Sequence, residues 1–228
     1  VKSIRPPIGQ GLLAIRQRHA DCLAGNIRIQ NRPSRIKAEK RRSTRETNHT
    51  KVSIIIYIML TVVIQAGGES RRMGKDKALM PFLGQPMIAR VIERVRPIAE
   101  EILVTTNQPE AYEFLGVPLA ADVLPGSGAL GGLYTALQAA SQPLVAVVAC
   151  DMPFASQELL AFQRDLLVHE SVDVVLPATE QGMEPLHAVY RRNTCLPAVE
   201  AALQHGQRRM IAWFEHVRVR VLSDAEIA

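Results

Sequence analysis

From residue 59 onward the sequence predicts an α/β fold, a doubly wound and mainly parallel sheet of Rossmann-like type. Three observations carry this. Strand-like and helix-like segments alternate with short links, the pattern of successive βα units. The strand-like segments, LTVVIQ at 60–65 and LVAVVA at 144–149 among them, are continuously apolar, as expected when helices cover both faces of a sheet. The glycine-rich and charged stretches follow strand ends, where ligands collect in open sheets of this kind.

Strands are expected at 60–65, 101–105 (EILVT), 117–121, 144–149, 172–176 (VDVVL), 186–190 and 217–222. Their Val, Ile and Thr content suits a pleated, buried surface. Helices are expected between them at 86–97, 108–115, 131–140, 156–168, 194–205 and 208–215. The apolar run from Ser53 to Ile64 is too short to cross a bilayer and leads into the first strand. No membrane partner is expected.

At 228 residues and 25.1 kDa the chain has room for one α/β domain or two small ones. With 47% hydrophobic but only 4% aromatic residues, the core must be built from Val, Leu, Ile and Ala. Three cysteines, Cys22, Cys150 and Cys195, make no disulfide framework and no C-x-x-C pair, which points to a reducing cytoplasm. Disorder throughout, a collagen-like repeat and a cysteine-rich secreted scaffold are excluded by this composition.

The net charge of +5 is unevenly placed. Residues 1–52 carry 13 Lys and Arg against 3 Asp and Glu, a net of +10, and the remainder is at −5. Nucleic-acid binding would rest on this leader alone, and none is expected of the body. The leader buries too little apolar surface to order itself. It reads either as a basic arm or targeting peptide, or as a tail outside the natural protein, with translation beginning at Met59. The expected organisation is a basic leader at 1–58 and a domain at 59–228.

Directly after the first strand comes Gln65-Ala66-Gly67-Gly68-Glu69-Ser70-Arg71-Arg72-Met73-Gly74-Lys75-Asp76-Lys77. Paired glycines let backbone N–H groups approach an anion closely. Arg71, Arg72, Lys75 and Lys77 add four cations, a combination suited to a nucleoside triphosphate. It is not a Walker A loop, because five residues separate Gly68 from Gly74 and Asp76 stands where Ser or Thr would bind magnesium.

Asp151 ends the apolar strand 144–149, either as a helix cap or as a carboxylate for a hard divalent cation shared with phosphate oxygens. Gly126, Gly128 and Gly131 spell G-x-G-x-x-G with Asp151 twenty residues on, but Asp122 to Pro125 intervene after the strand, which argues against a dinucleotide fingerprint. His187 is either structural or a substrate contact. Arg191, Arg192, Arg208 and Arg209 either hold an acceptor or are solvated. Cys150 and Cys195 read as small hydrophobes.

The segment AGGESRRMGKDKAL resembles the signature of the molybdenum cofactor guanylyltransferases. The resemblance continues through FLGQPMI at 82–88, DMPF at 151–154, EPLHAVYRR at 184–192 and GQRR at 206–209. It implies a nucleotidyltransferase domain that joins GMP from GTP to molybdopterin with Mg²⁺. Gln65, Ala66, Gly67 and Gly68 then match the backbone contacts to GTP. Lys77 matches the phosphate- or nucleotide-binding lysine, Asp122 a nucleotide-contacting aspartate and Asp151 the magnesium ligand, with Arg72 supplying further charge. Asn107 stands for the family's asparagine after the second strand, with Thr105 equally placed. Molybdoenzymes or other cofactor-synthesis proteins follow as partners. The family's terminal F-x-N-V-N-T-P-E-D-L segment does not appear before Ala228, which reads either as a C-terminal truncation or as loss of that piece from the gene. The alternatives are a cytidylyltransferase or other nucleotidyltransferase, and a nucleotide-binding protein without catalysis.

Overall fold

Six consecutive buried residues, Leu60–Gln65, form β1 at the centre of the sheet. In this computed structural model, residues 59–66 and 76–227 are described. The leader and Gly67 to Lys75 lie outside them. The order of elements is β1, a hairpin of β2 (Pro81–Phe82) and β3 (Gln85–Pro86), α1 (Met87–Val95), β4 (Glu101–Thr105), β5 (Leu119–Ala120) and α2 (Gly128–Ala139). Next come β6 (Leu144–Ala149), α3 (Gln157–His169), β7 (Val174–Thr179), β8 (Gly182–Met183), β9 (His187–Arg191), α4 (Arg192–Gln204), β10 (Val219–Leu222) and α5 (Asp224–Ile227).

The main sheet runs β10-β7-β9-β6-β1-β4-β5, with β8 paired to the end of β7. β1 pairs in parallel with both β4 and β6, β4 with β5, and β7 with β10. β9 is antiparallel to both its neighbours. The cause is local. Between β7 and β9 the chain makes only a β-turn excursion through β8, and a parallel return would need a crossover of a dozen or more residues.

Side chains of alternate residues enter opposite layers. Leu60, Val62 and Ile64 meet α1 and α3 through Ile88, Val91 and Leu160, whereas Val63, Val145 and Val147 meet α2 and α4 through Leu133, Leu137 and Val199. Each such side chain stabilises the fold by about 1.5–3 kcal/mol on burial. The expected doubly wound architecture is therefore present.

Two expected helices are shorter structures. Residues 108–115 form two 3-10 turns, Pro109–Ala111 and Glu113–Leu115, around the fully buried Tyr112. Residues 208–215 form turns leading into the 3-10 helix Phe214–His216, where the buried Trp213 donates from Nε1 to the Met210 carbonyl at 2.8 Å. In both places one large aromatic anchors the chain to the core, and three or four residues per anchor leave no room for a full amphipathic helix.

At the end of the sheet remote from the strand carboxyl ends, Asp173 is buried. Burial pushes its carboxyl upward. Donors from Arg218 (N at 3.0 Å, Nε at 3.1 Å) and Thr194 (3.1 Å) outweigh this and hold it below the ordinary carboxylate range. No helix among the described residues is long and apolar enough to cross a membrane.

Candidate active site

The parallel strands end together, and their last residues pair: Gln65 lies beside Thr105 on one side and Ala149 on the other. Beyond the ladder the backbones remain tied. The Ala66 N–H donates to the Thr105 carbonyl at 2.9 Å, and the Cys150 N–H donates to the Gln65 carbonyl at 3.1 Å. The chain leaving β1 toward the glycine turn and the chain leaving β6 toward Asp151 therefore emerge side by side. Gly67, Gly68, Arg71, Arg72 and Lys75 lie outside the described residues.

Gln65 reaches into the α2 layer. A Cβ on Gly132 would stand 2.1 Å from the Gln65 Nε2 and 3.1 Å from its Cδ, so the glycine makes space for this side chain. Gly131 likewise clears Ser127, whose Cβ would lie 2.6 Å away. The glycines after the G-x-G thus serve close packing of α2 against the loop and β1.

Thr105 is 1% exposed, while Asn107 is exposed beyond the end of β4. Asn107 and Asp122 clasp each other: the Asn107 Nδ2 donates to Asp122 Oδ2 at 2.7 Å and the Asp122 N–H donates to Asn107 Oδ1 at 3.2 Å. This brings two residues that the sequence separates onto one rim of the strand ends. Arg208 joins the same region by donating to the Gly126 carbonyl at 2.6 Å.

Asp151 is exposed, and it does not cap α3. That task falls to Ser156, whose Oγ accepts from the Leu159 N–H at 3.1 Å. The loop between them is held from two sides: Arg94 Nε donates to the Ala155 carbonyl at 3.0 Å, and the Ser156 N–H donates to His187 Nε2 at 3.2 Å. His187 thus has a structural bond, and burial holds it neutral below the ordinary imidazole value. It also lines a groove of about 450 Å³ with Asp151, Phe154, Thr179, Glu184 and Ile227. Phe154 is 71% exposed and packs edge to face on Phe82.

The Cys150 thiol is pushed up to about 12 by burial and by the carboxylates of Asp151 and Asp76, with Lys77 acting in the opposite sense. The thiol therefore stays protonated and is unsuited to nucleophilic attack. Lys77 is exposed and opens the 3-10 turn Lys77–Leu79.

Antiparallel β9 separates the two ends of its motif. His187 pairs with Val148 near the strand ends, whereas Arg191 pairs with Leu144 at the far edge. Arg191 donates to the carbonyls of Val172 and Leu167, and Arg192 donates to the Leu137 carbonyl at the end of α2. Both arginines are thus structural. Phe154 and Glu184 lie in the segments DMPF and EPLHAVYRR, which single out neither of them, whereas Tyr112 has no sequence signal and is brought near Asp76 by tertiary packing alone.

Among the described residues, no three His, Cys, Asp or Glu side chains form a metal cage. The donor set at the end of β6, one exposed carboxylate free of capping duty, suits a hard cation that takes its other ligands from phosphate and water.

Residues 62–219 match the MobA-like NTP transferase domain. The chain is 37% identical over 164 residues to the probable molybdenum cofactor guanylyltransferase of Carboxydothermus hydrogenoformans, covering 72% of this chain and 81% of that protein. It is 34% identical over 171 residues to the molybdenum cofactor guanylyltransferase of Desulfosudis oleivorans, covering 74% and 83%. The crystal structure of molybdopterin-guanine dinucleotide biosynthesis protein A from Archaeoglobus fulgidus shares the fold, with a TM-score of 0.63 at 24% identity over 73% of this chain and 85% of that one. The extent of these matches establishes that the chain carries a nucleotidyltransferase domain and belongs to the MobA-like NTP transferase family.

Proposed function

We propose that this protein transfers GMP from GTP to molybdopterin, releasing pyrophosphate and forming the guanine dinucleotide form of the cofactor. The observation that carries the reading is the junction of β1 and β6, where the Cys150 N–H bonds the Gln65 carbonyl at 3.1 Å. The chain beyond Gln65 and the chain that carries Asp151 thus start as neighbours, which supports a triphosphate bound between them.

In this reading a phosphate oxygen of molybdopterin attacks the α-phosphorus of GTP. The new P–O bond forms as the bond to the β-phosphate breaks, and both electrons leave with pyrophosphate. The attacking group is already anionic, so no protein base is required. The burden on the protein is to align two anions and to neutralise charge on the leaving group. Gln65, Ala66, Gly67 and Gly68 supply backbone contacts to the nucleotide, and Lys77 with Arg72 supplies cations to the phosphates. Asn107 and Asp122 border the nucleoside end. Asp151 would hold Mg²⁺, which when bound screens the phosphate charges. The groove beside Asp151, walled by Phe154, Glu184 and His187, receives the acceptor. The product passes to a molybdoenzyme or another cofactor-synthesis protein in the cytoplasm. The catalytic domain is assigned to 59–228, with the leader 1–58 outside it.

Pyrophosphate release with GTP and with CTP, in the presence and absence of molybdopterin, tests the proposal. Release only with GTP and molybdopterin is expected. Asp151→Ala and Lys77→Ala should each lower the rate by about 10²- to 10³-fold with the fold intact. Preference for CTP would move the protein to cytidylyl transfer, and GTP binding without release would make it a non-catalytic binder.

A further inference from the structure

We propose that Tyr112 is a positioning residue which, acting through Asp76, fixes the turn that presents Lys77 to the nucleotide phosphates. The inference rests on the phosphate-binding role given to Lys77 above.

Lys77 carries its charge on a flexible four-carbon stem, so an ordered contact depends on where its backbone is held. That backbone lies between two fixed points. On one side Ala78 is fully buried. On the other, both carboxylate oxygens of Asp76 are engaged: Oδ1 accepts the Ala78 N–H at 3.0 Å, and Oδ2 accepts the Tyr112 hydroxyl at 2.5 Å. The first bond caps the 3-10 turn Lys77–Leu79, whose own bonds are long, with Leu79 N to Asp76 O and Met80 N to Lys77 O both at 3.2 Å. The second ties the cap to the core, because Tyr112 is 0% exposed.

The tether arrives from a distant part of the chain. Tyr112 lies between two 3-10 turns that follow β4, packed in the layer that holds Ile88 and Leu160. A carboxylate at position 76 is thus accounted for without metal chemistry. It converts the rigidity of the sheet into a fixed origin for Lys77. Burial and the facing Asp76 carboxylate raise the Tyr112 phenol well above its ordinary value, so it stays a donor across the working pH range. A cation whose backbone is already placed loses less freedom when phosphate binds.

The test measures the Kd of Mg²⁺–GTP by titration calorimetry on the full chain for wild type, Tyr112→Phe, Lys77→Ala and the double variant. A hydrogen bond to a charged group is strong enough that losing it should weaken binding about tenfold when Lys77 is present. In the Lys77→Ala background the same change should cost less than about twofold, because the residue it positions is gone. Asp76→Asn should bind within about threefold of wild type, since its amide oxygen can accept from Ala78 and its NH₂ can donate to the Tyr112 oxygen. If circular dichroism shows Tyr112→Phe to be unfolded, Asp76→Ala removes the same tether from the partly exposed side and takes its place. Equal weakening in both backgrounds, or no weakening beside an intact Lys77, overturns the inference. Wild-type affinity in Lys77→Ala itself would instead overturn the phosphate-binding reading and the inference with it.

Discussion

Gly132→Ala isolates the close approach of α2 to β1. The added methyl would sit 2.1 Å from the Gln65 Nε2 and 3.1 Å from Cδ, both well inside contact distance. Gln65 is only 8% exposed, so its amide has little room to swing away. Overpacking of this kind costs about 1–3 kcal/mol. Against it stands the gain of replacing glycine by alanine inside a helix, about 1 kcal/mol. The single variant should therefore be destabilised by about 0–2 kcal/mol. In a Gln65→Ala background the obstruction is gone, and the same substitution should stabilise by about 1 kcal/mol. Urea titration followed by fluorescence reads this directly, because Trp213 is the single tryptophan and is fully buried. A stabilisation of about 1 kcal/mol by Gly132→Ala in both backgrounds would refute the packing argument.

Two further outcomes follow from local geometry and electrostatics. Leu83 and Gly84 join β2 to β3 with φ of +50° and +87°, the two-residue turn that favours Asn-Gly, and Leu83 is 72% exposed. Leu83→Asn should relieve left-handed strain and raise stability by about 0.5–1 kcal/mol in urea, whereas Leu83→Val should lower it. His187 is held neutral by burial below its ordinary 6.5, so the unfolded chain takes up the proton first. Its contribution is present above about pH 6.5 and declines as pH falls toward its folded value, by up to about 1.4 kcal/mol per pH unit. Urea midpoints at a series of pH values should show this slope in wild type and a shallower one in His187→Gln.

The strands were readable because burial on both faces leaves a continuous apolar run, and LTVVIQ and LVAVVA became β1 and β6 at the expected residues. The segments 108–115 and 208–215 carry enough apolar residues to resemble helices, yet each is organised by one aromatic side chain, Tyr112 or Trp213, whose burial no local period reveals. The reversed direction of β9 was equally hidden. A strand's apolar pattern is the same in either sense, and only the length of the β7–β9 connection bears on it.

For the site, local sequence determined what chemistry was on offer. The double glycine, the Asp76-Lys77 pair and the carboxylate of Asp151 are properties of contiguous residues, legible because anion and cation binding demand particular side chains and backbone freedom. Tertiary structure decided which polar groups are spent on structural bonds and which stay exposed. It left Asp151 exposed, joined Asn107 to Asp122, and turned Arg191 and Arg192 to carbonyls at the far edge. The asparagine and arginine assignments depend on hydrogen bonds between residues 15 to 55 positions apart, and those exist only once the sheet has assembled.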